Sequence, residues 1–395
     1  MKGLDFVNFA KLRLGWEMAG NDNLPDYATR SYFASAGLLG QAYGLVLDNI
    51  GNDRMKWETT STFRVGLDAS LFHNRWNFNV DFYTSKTSDL LIRKQLNEVA
   101  RLEYFWTNGG DLQNTGVNFS TTVRALDLRD WKLDIGASIG HYKNKVTELG
   151  DGSFFTDING AQVLTEKGQP LGVFYGYKTD GVFATAAEAS AAGLAIRNAN
   201  GTLSQFEAGD MHFVDNGDGV IDEGDRTIIG DPNPDIFGNF NFRLSWKGFT
   251  LSSLFTYSVG NDVYNALRAN LESGSDIHNQ NVALVDRWVA NGQQTSIPRA
   301  TYGDPMGNAR FSDRWIEDGS YLKWKSIQLT YDIPVRSTFL QGVSVWMAVN
   351  NLCTWTKYLG PDPEFFSGTS PLGLGIDNGL IPASREFNFG VKINL

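Results

Sequence analysis

One cysteine, Cys353, and four histidines, His73, His141, His212 and His278, are spread over 395 residues. A single thiol excludes an intrachain disulfide framework and a thiolate metal cluster. The histidines lack a second member at ligand spacing, which leaves a zinc centre or a Ser-His-Asp triad without support. No apolar run approaches the ~20 residues a membrane-crossing helix needs. Nor is there a basic cluster: the net charge is -10, whereas nucleic-acid surfaces gather Lys and Arg against phosphate. Gly373-Leu374-Gly375 is not followed by Lys-Ser or Lys-Thr, so no phosphate-cradling loop is present. The opening stretch, Met1 to Gly20, has neither the continuous apolar core nor the small-residue cleavage site of a signal peptide.

Aromatic residues reach 13% and glycines number 42, a composition that favours β-structure with many turns. Period-two alternation recurs along the chain. Leu12, Leu14, Trp16 and Met18 oppose Lys11, Arg13, Gly15 and Glu17. Phe63, Val65, Leu67 and Leu71 precede the turn His73-Asn74-Arg75, and Trp76, Phe78, Val80 and Phe82 follow it. Similar pairs flank residues 127–130, Lys247-Gly248 and the stretch after Pro334. The last strand sets Phe387, Phe389, Val391, Ile393 and Leu395 against Asn388, Gly390, Lys392 and Asn394. About ten strands result, and their connections alternate in length. Short ones fall near 73, 128, 247 and 337; long ones fall at 20–56, 86–114, 146–236, 260–320 and 351–386.

A strand with one apolar and one polar face suits the wall of a transmembrane barrel, and such barrels sort short periplasmic turns from long extracellular loops. A soluble sandwich has no reason to sort its loops by parity. The expected fold is therefore all-β, an antiparallel transmembrane β-barrel portion of about ten strands with long extracellular loops. Residues 1–395 form one barrel unit, with 146–236 as a long extracellular insertion. Trp16, Trp76, Trp131 and Trp246 are expected near strand ends as an aromatic girdle.

Several segments, in a shared order, resemble the SusC/RagA family of TonB-dependent outer-membrane transporters of Bacteroidetes. They include Leu12 to Trp16, Lys56 to Thr60, Gly168 to Tyr177, Gly209-Asp210 through Asp225-Arg226, Ile229 to Pro234, Arg310 to Tyr321, and Asn350-Asn351-Leu352 through Tyr358. The resemblance implies a barrel of roughly 22 strands with a plugged lumen, located in a Gram-negative outer membrane. This chain matches its later portion, so the expectation is a C-terminal part of a larger transporter or a truncated gene product. The family's role implies import of glycan oligosaccharides or peptides, a SusD-like surface lipoprotein as lid, and energy from the TonB complex through a preceding N-terminal part. Contact with outer-membrane lipid follows from the same reading, and nucleic acid is not an expected partner. No catalytic residue is assigned. The alternatives are an outer-membrane barrel enzyme and a soluble all-β carbohydrate-binding or adhesion module.

Val214 to Arg226 (VDNGDGVIDEGDR) resembles a calcium loop, since Ca²⁺ prefers six to eight oxygens and a glycine eases the sharp turn. Asp215, Asn216, Asp218, Asp222 and Asp225 are the candidate side-chain ligands, with the Val220 carbonyl beside them. The front of the loop is one residue short of the usual DxNxDG order, and a polar Asx-turn loop accounts for the same residues. Adjacent acids such as Glu317-Asp318 or Asp222-Glu223 do not meet the cross-substrate geometry of glycoside hydrolysis. Loop aromatics, Tyr104, Phe105, Trp106, Phe154, Phe155, Phe174, Tyr175, Tyr177, Tyr302, Trp355, Tyr358, Phe365 and Phe366, either hold the loops together or stack on cargo.

Overall fold

The computed structural model of the protein describes residues 6–38, 42–96, 102, 104–150, 152–335, 339–366 and 371–394. Ten long strands form one sheet: β1 (Val7–Asn21), β2 (Glu58–Leu71), β3 (Trp76–Ser88), β4 (Asp111–Asp127), β5 (Trp131–Glu148), β6 (Ile236–Trp246), β7 (Phe249–Val259), β8 (Tyr321–Ile333), β9 (Gly342–Thr356) and β10 (Glu386–Asn394). Their order in the sheet is their order in the chain. Such an up-and-down arrangement needs only hairpin connections, and the resolved ladders from β1 to β2 and from β6 to β10 run antiparallel. Leu395 and part of the connection after Pro334 lie outside the described residues.

Two compact units divide the chain. One comprises Met1–Phe119, Tyr142–Phe154 and Glu166–Pro170; the other comprises Ser120–His141, Phe155–Thr165 and Leu171–Leu395. Within the first, Thr60 and Thr62 on β2 bond the side chains of Thr87 and Ser85 on β3. These polar rungs extend the strands beyond the apolar alternation that revealed them. Hence β3 continues to Ser88, well past Phe82, where the amphipathic pattern fades but the backbone ladder does not.

The short connections have residue types suited to their geometry. Lys247 and Gly248 have φ of 44° and 90°, the left-handed pair that a two-residue hairpin needs to match strand twist. Beside this turn, Trp131, Trp246, Phe249 and Tyr331 form a row across four strands, with successive ring centroids 5.4, 6.2 and 4.3 Å apart. In the other unit Phe6, Phe72 and Trp76 stack at the equivalent turn. Trp76, Trp131 and Trp246 thus stand at strand ends as expected. Trp16 does not: it lies within β1 opposite Phe63, because β1 continues five residues further as a ladder to Glu58 on β2.

The apolar strand faces are turned outward. Leu14 is 68% exposed and Phe389 73%, with Leu12, Met18, Phe82, Leu329, Met347 and Ile393 also exposed. We predict that Leu329→Arg lowers stability in lipid vesicles by about 2–4 kcal/mol, while Gln328→Arg, one residue away on the polar face, costs less than about 1 kcal/mol. Urea unfolding of the two variants measures the difference; equal losses would contradict the assignment of faces.

Candidate functional site

Polar residues on the face opposite these exposed side chains form fixed networks. The Arg13 guanidinium donates through Nη2 to Asp68 and to Asp81, each at 3.0 Å, its Nε lies 2.8 Å from Asp68 as an ion pair, and Asn79 donates to Asp68 at 2.6 Å. Register explains the cluster: Arg13 pairs Gly66, Gly66 pairs Asp81, and Asp68 pairs Asn79. Gly66 leaves room for this cluster, since a Cβ there would push aside the Asp81 carboxylate and the Arg13 fork. In the second unit, Arg124 on β4 reaches Asp134 on β5 at 2.8 Å. Paired charges of this kind suit the wetted interior of a barrel, where an unpaired charge would dominate its surroundings.

The long connections are built structures with their own cores. Tyr177, Phe183, Phe206, Met211, Phe213, Ile221 and Met306 form one cluster. Phe174, Tyr264, Trp315 and Ile376 form another with Ala161 and Val163. A helix, α1 (Ala186–Ala192), begins where Thr185 accepts the Glu188 amide and the Glu188 carboxylate reaches back to the Ala184 amide. It ends at Gly193, φ 68°, in the left-handed conformation that commonly closes helices. Thr185-x-x-Glu188 followed by Gly193 is a helix signal present in the sequence but absent from the pattern-based expectation.

Two ionic hubs hold these connections. Asp210, fully buried, accepts both Nε and Nη2 of Arg299 at 2.8 and 3.0 Å, the side-chain amide of Asn308 at 2.9 Å and the Glu207 backbone amide at 2.9 Å. Burial opposes the Arg299 charge, yet Asp210 and Glu207 outweigh it and hold its pKa above the ordinary value. Gly209 has φ 87° and lies under the Trp288 indole, so a side chain there would strike the ring. At the second hub, Arg268 bonds Glu272 at 3.0 Å and Glu317 at 2.9 Å, while Glu317 also accepts the Leu359 amide. Tyr358 donates to buried Asp377 at 2.6 Å, and burial followed by that carboxylate pushes the phenol far above its usual pKa. Burial, then Arg268, pushes Arg314 down to about 10. A cleft of about 280 Å³ opens beside this hub, lined in part by Leu267, Leu271, Leu359 and Pro361.

The candidate ligands of the Asp-rich loop are placed as a self-closing turn. Asp215 accepts the amides of Gly217 and Gly219, and Asp218 accepts that of Val220. Asp222 accepts Gly224, while Asp225 accepts both Asn216 and Asp222 at 2.8 and 2.7 Å. Asn216 joins through its backbone amide. Among the described residues no group of three or more His, Cys, Asp or Glu is gathered as a cation requires. As folded, the donor set is spent on the loop's own backbone amides.

Glu317 and Asp318 are also committed elsewhere. Glu317 belongs to the Arg268 hub, and Asp318, held below its usual pKa first by the Ser320 side chain and then by its backbone amide, caps a turn. The loop aromatics divide by burial: Phe174, Tyr177 and Tyr358 are core, whereas Phe155, Tyr302, Trp355 and Phe366 are exposed. The Tyr104 side chain lies outside what is described.

We predict that Asp210→Ala destabilises the loop assembly by about 3–5 kcal/mol, because partly buried Arg299 would lose its buried partner and keep only the exposed Glu207. Accelerated protease cutting within 183–213 and 284–310 would be the readout. For Asp225→Ala the expected loss is about 1–3 kcal/mol, from two unpaired amides. That loss should be equal in calcium and in chelator; a melting difference present only with calcium would reinstate the metal reading.

Residues 11–171 match the family described as TonB dependent receptor-like, beta-barrel. Over 414 aligned residues the chain is 32% identical to TonB-dependent receptor P3 of Formosa agariphila, covering all of this chain and 40% of that protein. Against TonB-dependent receptor SusC of Bacteroides thetaiotaomicron it is 26% identical over 418 residues, covering all of this chain and 38% of SusC. The chain therefore spans about 40% of the length of the curated relatives it matches. Among solved structures, the RagAB peptide transporter superposes with a TM-score of 0.80 at 24% identity, covering 98% of this chain and 41% of that one. At that identity the likeness speaks for the fold. Along its entire length the chain is thus similar to TonB-dependent receptors, SusC among them, it carries a match to their β-barrel family over residues 11–171, and it shares the fold of the RagAB transporter barrel.

Proposed function

We propose that the chain contributes barrel wall and extracellular loops to a TonB-dependent importer in the outer membrane of a Bacteroidetes-like bacterium. The observation that carries this reading is the sheet itself: ten strands in chain order with exposed apolar residues on one face and charged networks on the other. Long connections alternate with tight turns along the chain, the arrangement that outer-membrane barrels use to sort extracellular loops from periplasmic turns. The cargo is a glycan oligosaccharide or a peptide, taken up with a SusD-like surface lipoprotein as lid and with energy delivered through TonB. The RagAB peptide transporter, a neighbour in fold, supports the peptide class, and the likeness to TonB-dependent receptor SusC supports the receptor reading. No covalent step is assigned. The acids that an enzyme would need are occupied in hubs and caps, and the relatives are named as receptors and transporters.

Cells producing the complete receptor should accumulate a labelled oligosaccharide or peptide only while the proton-motive force is intact. Deletion of the gene should abolish that uptake. The protein should also enter the detergent phase and migrate differently before and after boiling. Partition into the aqueous phase without detergent, or uptake indifferent to deletion, would sink the proposal.

A further inference from the structure

We propose that the outward face of a small sheet in the 149–235 connection is a subsite for a neutral sugar ring. The sheet consists of Phe154–Ile158, Ala161–Thr165, Val173–Gly176 and Thr227–Gly230, neighbours in that order. Its inner face gives Ala161, Val163 and Phe174 to a buried cluster that also holds Trp315 and Ile376. The outer face is therefore carried on a rigid support.

Backbone geometry places three polar side chains in one row. Asn159 and Gly160, with φ of 53° and 84°, close a two-residue hairpin, which sets Asp157 opposite Gln162. The pairing of Val163 with Phe174 then sets Gln162 opposite Tyr175. Neighbouring members of the row are separated by one inter-strand step of about 4.8 Å. Phe155, two residues before Asp157, projects from the same face and is 45% exposed. Its ring lies 5.1 Å from that of Tyr175, the planes inclined by 32°.

The polar groups around this aromatic pair are oriented but not saturated. Asp157 accepts the Gly160 amide through Oδ1, and Gln162 accepts Arg226 through Oε1 at 2.8 Å. Asp157 Oδ2, the Gln162 amide N–H groups and the Tyr175 hydroxyl have no partner among the described residues. Arg226, the cation that meets this row, is itself bonded to Gln162, Glu223 and the Tyr177 hydroxyl. The face thus offers an apolar platform, a carboxylate, an amide and a phenol, with no free positive charge.

A pyranose matches that inventory. Its axial C–H face stacks on aromatic rings, and its equatorial hydroxyls donate to a carboxylate and accept from an amide. Extended peptides bind mainly by adding a strand at a sheet edge; here the unspent groups stand on the face. An acidic glycan would meet Asp157 without a compensating cation.

This inference rests on the glycan branch of the import reading, and its test separates the two. The purified full chain in detergent is applied to an array of neutral oligosaccharides, acidic oligosaccharides and short peptides. Alongside it run Phe155→Ala, Phe155→Trp and Asp157→Ala, each checked by melting temperature. The wild type should retain a neutral glycan; Phe155→Ala and Asp157→Ala should weaken it about tenfold, and Phe155→Trp should keep it. Glycan binding unchanged in Phe155→Ala overturns the subsite and leaves glycan import standing. Peptide binding alone, or no binding to any neutral glycan, overturns the subsite together with the glycan branch.

Discussion

A strand with a side-chain period of two can present its apolar groups to one side only, and in β1, β8 and β10 that side is exposed. The rest of the molecule depends on this constraint. Once Leu12, Leu14, Leu329, Phe389 and Ile393 are committed outward, the sheet cannot supply a hydrophobic core on its other face. A one-residue slip in any ladder would exchange the two faces, so register is fixed by the same pattern. The polar face answers with pairs such as Arg13 with Asp68 and Asp81, in which each charge has a partner across the ladder.

Because the sheet gives no core, the long connections must make their own. They do so with clusters around Phe213 and Trp315, and with buried ion pairs that join distant stretches. Asp210 and Arg299 are 89 positions apart, and Tyr358 and Asp377 are tied across a separate connection. A buried carboxylate is costly unless each oxygen is engaged, and Asp210 accepts four donors on its two oxygens. Loops held this way keep one shape while facing water, which a binding surface needs and a floppy connection cannot provide.

The strands were legible in the sequence because alternation is local: Phe63 to Leu71 or Phe387 to Ile393 declare their faces without reference to anything else. Their outer ends were not, since Thr59 to Thr62 and Thr84 to Ser88 are polar on both sides and only the ladder itself shows that the strand continues. The aromatic row was half visible. Trp131 and Trp246 stand beside turns in the sequence, but Phe249 and Tyr331 join them only through cross-strand register. The hubs were invisible in chemical terms, as no period links Asp210 to Arg299. Yet Gly209-Asp210 and Arg310 to Tyr321 lie in the very segments that carry the family resemblance.

The Asp-rich loop shows how a motif and a turn can share one composition. Carboxylates spaced three and four residues apart suit a cation, but the same spacing lets each reach the backbone amides just ahead of it. Asp215, Asp218 and Asp222 take that route, and Asp225 turns back to the amides of Asn216 and Asp222. Glycines at 217, 219 and 224 serve either outcome, so they do not discriminate. What discriminates is direction: ligands of a cage converge on one point, whereas caps point at successive amides along the chain. In this loop the carboxylates are engaged by the chain's own amides, the role the turn requires of them.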